Sequence, residues 1–122
     1  MAARIEHAAT PVDRSPSGLA IRHLVTEEIG STDLYAGEQW LEPGERVLLH
    51  THPVEEVLIF TEGLGEATLG DQAVPVRGGV TLHIPAGDVH GFRNTGEGRL
   101  HVFVIFPGNA FAPTNIIENG AR

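Results

Sequence analysis

Cysteine is absent from this 122-residue chain, which excludes disulfides, thiolate nucleophiles and thiolate metal ligands. Lysine is absent too, all 8 basic residues being arginine, so no side-chain amine is available for Schiff-base chemistry. Positive charge is scarce overall. Sixteen acidic residues against those 8 arginines give a formal net charge of −8, the wrong sign for a partner held through phosphates, so no nucleic-acid partner is expected. Long apolar runs are missing as well. None approaches the roughly 20 residues that span a bilayer, and the opening segment MAARIEHAATPVDRSPSG has no apolar stretch of the kind that a secretory signal carries. No membrane partner is expected, and the expected location is the cytoplasm.

What the chain has in quantity is turn formers. Its 15 glycines and 8 prolines punctuate short apolar runs in a composition that is 41% hydrophobic, a pattern of strands rather than helices. Strands are expected at Leu19–Val25, Leu34–Leu41, Arg46–Thr51, Glu56–Thr61, Gly65–Leu69, Gln72–Val76, Val80–Ile84, Val89–Asn94 and Leu100–Phe106. Between most of them lie Gly-containing turns such as Glu42-Pro43-Gly44-Glu45 and Pro85-Ala86-Gly87-Asp88. Closely spaced short strands make an all-β sandwich or barrel. A single domain is expected over residues 19–107, preceded by a tail or arm over residues 1–18 and followed by an irregular tail over residues 108–122.

The chemistry is concentrated in two blocks. The first runs Gly44-x5-His50-x-His52-x3-Glu56-x6-Gly63, the second Gly79-x5-Pro85-x-Gly87-x2-His90-x3-Asn94. His50 and His52, two apart on a strand, point to one face. Glu56 and His90 reach that face only through the fold. Three imidazoles and one carboxylate leave coordination positions open on a transition metal. If the strand runs unbroken, Arg46 and Leu48 share the face of His50. Glu56 facing inward brings Leu58 and Phe60 inward, and His90 brings Phe92 inward and turns Arg93 out. Val102, Val104 and Phe106 are assigned to the interior, which keeps His101 out of it. Tyr35, Gly37 and Gln39 are the inward set on their strand, with Tyr35 and Gln39 the polar groups expected beside the metal. His23, His83 and His101 read as surface or packing residues, His7 as a tail residue, and Asn94 as a turn cap. Trp40, opposite Gln39, is expected between subunits or under the N-terminal arm.

Both blocks resemble the two conserved motifs of the cupin family, with every defining position filled, and together they cover about half the chain. The resemblance implies a cupin-type double-stranded β-helix, a jelly-roll barrel. It also implies that His50, His52, Glu56 and His90 hold one divalent transition metal, with Mn, Fe, Ni, Cu and Zn all open. The segment from His90 to Asn94 is similar to that of small manganese-binding cupins, a likeness that also places Gln39, Val102 and Val104 on the pocket wall. A pocket of Leu58, Phe60, Phe92, Val102 and Val104 suits a small, apolar or aromatic molecule chelating through two oxygens. The expected activity is a metal-dependent oxidoreductase of dioxygenase type, the alternatives being an oxygen-independent isomerase, lyase or decarboxylase and a non-catalytic binding protein. Tyr35 and Gln39 are the candidate catalytic residues. Small cupins are usually at least dimers, and the outward faces of Trp40, His101, Phe103 and Ile105 offer apolar area for a homodimer contact.

Overall fold

A computed structural model describes residues 1–118. The nine expected strands all form, each end within one residue of its expected place: β2 (Ala20–Val25), β3 (Leu34–Leu41), β4 (Arg46–Thr51), β5 (Glu56–Glu62), β6 (Leu64–Leu69), β7 (Gln72–Arg77), β8 (Thr81–Ile84), β9 (His90–Asn94) and β10 (Leu100–Pro107). Two more strands, β1 (Asp13–Arg14) and β11 (Asn115–Ile116), come from the segments read as tails. Single 3-10 turns span His7–Ala9 and Glu27–Ile29.

All the strand pairings are antiparallel, and they build two sheets in the orders β1-β2-β3-β10-β5-β8 and β11-β4-β9-β6-β7. The alternation of each strand places one set of side chains between the sheets. On β10 that set is Leu100, Val102, Val104 and Phe106, all fully buried, while His101, Phe103 and Ile105 turn outward. Leu58 and Phe60 of β5, Phe92 of β9, Ala67 of β6 and Val76 of β7 complete the core from both sheets. Each large apolar side chain so enclosed contributes about 1.5–3 kcal/mol. Gly44, Gly63, Gly79 and Gly87 of the two blocks all sit at positive φ in turns, and Asn94 caps its own: its amide donates to the Leu41 and Gly98 carbonyls while its oxygen accepts the Gly96 N–H.

Within residues 1–118 both flanking segments add strands to the barrel. Asp13 pairs with Ile21, so the N-terminal segment extends the first sheet. Asn115 and Ile116 pair with Thr51 and His50, extending the second. Glu118 pins that return by accepting from the Arg46 guanidinium and the Leu49 N–H, both at 2.5 Å. The outward face of the first sheet is less plain than alternation predicts. Glu38 is buried there, held by His101 at 2.7 Å with His7 and Arg22 close by. Trp40 lies beneath the guanidiniums of Arg22 and Arg99, at 5.0 and 5.9 Å from its ring centre.

On β4 the expected facing is overturned. Val47 and His50 are the buried residues, and Arg46 and Leu48 do not share the face of His50. A bulge between Val47 and His50 shifts the register against β9, so the period of two is broken by one residue. The glycine opposite makes room for it. A Cβ on Gly91 would stand 2.8 Å from the Val47 carbonyl oxygen and 3.3 Å from the Leu48 carbonyl, closer than packed atoms tolerate. Gly91→Ala is therefore expected to cost about 1–3 kcal/mol in urea denaturation as the bulge is pushed away; unchanged stability would contradict the close approach.

Candidate metal centre

The two sheets meet at one end of the barrel, and the four residues of the metal expectation converge there. His50 lies one residue before the end of β4 and pairs directly with His90 at the start of β9, both in the second sheet. Glu56 opens β5 in the first sheet, and His52 lies on the link between the sheets. All four are buried, and one donor atom from each lies within 4.8 Å of the others. His90 Nε2 is 2.7 Å from Glu56 Oε1, His52 Nε2 is 3.6 Å from it, and the Nε2 atoms of His50 and His52 are 3.0 Å apart.

The outer nitrogens decide what these contacts mean. His50 Nδ1 lies 2.6 Å from the Leu48 carbonyl, His52 Nδ1 3.0 Å from that of Pro113, and His90 Nδ1 2.9 Å from that of Asp88. A carbonyl only accepts, so each Nδ1 carries a hydrogen and donates it. In a neutral ring the Nε2 is then a bare lone pair. His50 and His52 thus aim lone pairs at each other at hydrogen-bond distance with no proton between them, an arrangement that a cation bound to both relieves. Metal-binding histidines are held in this way, one ring nitrogen donating to a carbonyl so that the other faces the metal. The donor set of three nitrogens and one carboxylate oxygen fits a divalent transition metal held through His50, His52, Glu56 and His90.

Electrostatics follow the same lines. Burial, helped by the nearby His90 charge, holds the His50 pKa down to about 4. Burial also lowers that of His52, partly offset by the Pro113 carbonyl and Glu56. Burial acts on His90 too, but the hydrogen bond and charge of Glu56, joined by Asp88, outweigh it and raise its pKa.

The cavity against the donors measures about 20 Å³, room for one or two waters by the roughly 10–15 Å³ each requires. Gln39, Val47 and Phe92 line it, and Gln39 brings a buried Oε1 with no hydrogen-bond partner. Leu58, Phe60, Val102 and Val104, expected on the wall, are packed into the core rather than lining this cavity. Tyr35 is not beside the donors either: its hydroxyl turns away to His23, 2.6 Å off, and lines a different cleft. The wall contains what the sequence reading missed, Ser15, Pro16 and Ser17 from the N-terminal segment and Phe111 and Thr114 from the C-terminal one. No spacing in those stretches marks them. Of the remaining histidines, His83 pairs with Glu55 on the surface and His101 with Glu38 and Thr61.

The family described as the cupin domain matches residues 37–106. The chain belongs to the cupin family. Among curated relatives, the cupin is 36% identical to protein SchB of Streptomyces halstedii over 88 residues, 71% of this chain and 64% of SchB. It is 35% identical to the polyketide synthase CurC of Streptomyces cyaneus over 79 residues, 63% of this chain and 51% of CurC. It thus spans between about half and two thirds of the length of these two relatives. Among solved structures, the polyketide cyclase RemF of Streptomyces resistomycificus superposes with a TM-score of 0.85 at 20% identity, covering 98% of this cupin and 87% of RemF. That likeness establishes the shared fold. Among the described residues no helix is long and apolar enough to cross a membrane.

Two measurements follow. His52→Ala is expected to remove most bound metal by elemental analysis and to abolish the rise in Tm that metal gives the wild type; unchanged metal content would contradict the ligand assignment. In the metal-free protein His50 and His52 have lowered pKa values, so the unfolded chain binds their protons first. Stability is expected to fall as pH drops from about 6.5, the unfolded histidine value, and His50's share levels off near 4. His90, with a raised pKa, acts in the opposite sense, its share being lost as pH rises. His50→Gln should flatten the acid slope in melting curves; an unaltered slope would contradict it.

Proposed function

We propose that this cupin is a metal-dependent enzyme acting on a small, oxygen-rich organic molecule of the aromatic or polyketide type. The observation that carries the reading is the convergence of three histidine nitrogens and one carboxylate oxygen, with His50, Glu56 and His90 lining a cavity that Gln39 also lines. A divalent metal held by His50, His52, Glu56 and His90 would supply Lewis-acid polarisation of a carbonyl or enol oxygen. The protein's own groups set the rest. Gln39 Oε1, buried and unpartnered, accepts a hydrogen bond from a substrate hydroxyl. Phe92 and Val47 hold the apolar part. Among the described residues no arginine lines the cavity, which disfavours phosphorylated or strongly anionic substrates. Ser15, Pro16 and Ser17 with Phe111 and Thr114 cover the cavity and exclude bulk water, so a substrate larger than water enters only as these segments move. The names borne by CurC and RemF agree with such a substrate class.

Oxygen-independent chemistry is the first reading, cyclisation being the one that the name of RemF supports. The dioxygenase reading rests on the same open positions, which would let substrate and dioxygen lie side by side. A homodimer is proposed as well, through the outward face of β10, where Phe103 and Ile105 are half-buried; there His7 of the same chain already packs its ring against Phe103 at 6.0 Å.

The test is reconstitution of the chelator-treated protein with Mn(II), Fe(II), Ni(II), Cu(II) or Zn(II), followed by assay of catechols, diketones and poly-β-carbonyl compounds under argon and in air. Turnover under argon is expected; turnover tied to oxygen uptake would assign the oxygenase, and none with any metal would overturn the enzyme reading. Gln39→Leu should lower kcat/KM by about tenfold, the worth of one buried hydrogen bond, without loss of stability, because its oxygen has no partner to lose. Full activity in that variant would remove Gln39 from the mechanism.

A further inference from the structure

The three histidines of the metal site are not held alike. His50 Nδ1 donates to the Leu48 carbonyl and His90 Nδ1 to that of Asp88, each only 2 residues back along the chain. His52 Nδ1 donates instead to the Pro113 carbonyl, 61 residues away in sequence. The other oxygen beside it, Thr114 Oγ1 at 3.4 Å, belongs to the same segment. The main chain of His52 has an anchor of its own, its carbonyl accepting the Gly87 N–H at 2.8 Å. The orientation of its ring depends on residues 111–118, a strap that also brings Phe111 and Thr114 to the cavity wall.

The far end of the strap is fastened by polar contacts. Asn115 and Ile116 pair with Thr51 and His50, and the Ile117 N–H donates to the Leu49 carbonyl at 3.0 Å. Glu118 then accepts from the Leu49 N–H and the Arg46 guanidinium. Little apolar burial supports this stretch, since Ile116 and Ile117 are 37% and 50% exposed. Segments with few buried apolar contacts open more readily than the core. Charge-assisted hydrogen bonds are about twice as strong as neutral ones, so Glu118 supplies the strongest polar restraint on this end.

Opening the strap would do two things at once. It would take the acceptor from His52 Nδ1, leaving the ring free to turn its Nε2 away, and it would uncover the cavity. Moving Ser15, Pro16 and Ser17 aside uncovers the cavity as well, but leaves all three carbonyls on their histidines.

We propose that the C-terminal strap is the gate that retains the metal, and that Glu118 is the positioning residue that latches it, acting on His52 through Pro113. The proposal rests on the four-donor assignment and not on catalysis. By linkage, a metal that holds the His52 ring also holds the strap. While the strap stays mostly closed, a weaker latch alters release more than affinity. The release rate follows the small open fraction, and affinity follows the large closed one.

The test is release of Zn(II) from the loaded full chain into excess chelator, followed beside hydrogen exchange of the Ile117 amide by NMR. Glu118→Gln removes the charge and keeps an acceptor for Leu49. It is expected to speed both processes by the same factor, about three- to tenfold. Arg46→Met, at the other side of the pair, should act in the same direction. Glu66→Gln removes an equal charge from the Arg93 pair on the same sheet, and should leave release unchanged. A merely structural Glu118 would speed Ile117 exchange without speeding release, which would overturn the gate. Unchanged exchange in Glu118→Gln would overturn the latch. Glu66→Gln releasing metal as fast as Glu118→Gln would reduce the effect to net charge and overturn the proposal too. A wild type that holds no Zn(II) would overturn it together with the ligand assignment. Turnover enters none of these readouts, so the gate and the enzyme reading fail separately.

Discussion

Three backbone carbonyls govern the site. Leu48, Pro113 and Asp88 each take the Nδ1–H of one histidine, and so each ring presents its Nε2 to the same small volume. The choice of tautomer is thus made by main chain, which cannot rotate away as a side-chain partner could. The consequence is two lone pairs 3.0 Å apart and a carboxylate within reach of the third ring. Neutral groups do not hold that arrangement comfortably, while a divalent cation satisfies all of it at once. The histidines are therefore arranged for metal by the backbone before any metal is considered.

Much of the remaining structure serves those carbonyls. The Leu48 carbonyl is available because β4 bulges, and β4 can bulge because Gly91 faces it without a side chain. The Pro113 carbonyl is in place because the C-terminal segment returns as β11 beside His50 and is clamped through Glu118 to Arg46 and Leu49. The Asp88 carbonyl belongs to the turn that Gly87 permits at positive φ. The two sheets supply donors from opposite sides, so the site also ties the sheets to each other. Segments far apart in sequence then line the cavity over the donors, which keeps it small.

The strands were legible because alternation is a local rule, and it placed Val102, Val104 and Phe106 inward. Spacing alone put His50 and His52 on one face, while Glu56 and His90 joined them through the resemblance of the two blocks to the cupin motifs. Three things were not legible. The bulge in β4 shifts a register through a contact with Gly91, which a period of two cannot anticipate. The residues that cover the cavity, Ser15 to Ser17, Phe111 and Thr114, come from stretches without period, placed by pairing at β1 and β11 and by hydrogen bonds such as that from the Leu48 N–H to Ser17 Oγ. The direction of the Tyr35 hydroxyl escaped the alternation argument for a different reason. Tyr35 does face inward, but the open space at Gly37 and the acceptor on His23 turn its polar end away from the donors. Inwardness is a property of a strand, whereas the partner of a buried hydroxyl is a property of the whole packing.

The central claim is that the backbone fixes all three rings with Nδ1 protonated and Nε2 facing the metal. Long-range nitrogen–proton correlation spectra of the imidazoles in the Zn(II)-loaded protein test it directly. The account predicts that His50, His52 and His90 all show a protonated Nδ1 and a metal-shifted Nε2. Any one of these rings protonated at Nε2, or bound to the metal through Nδ1, would contradict it.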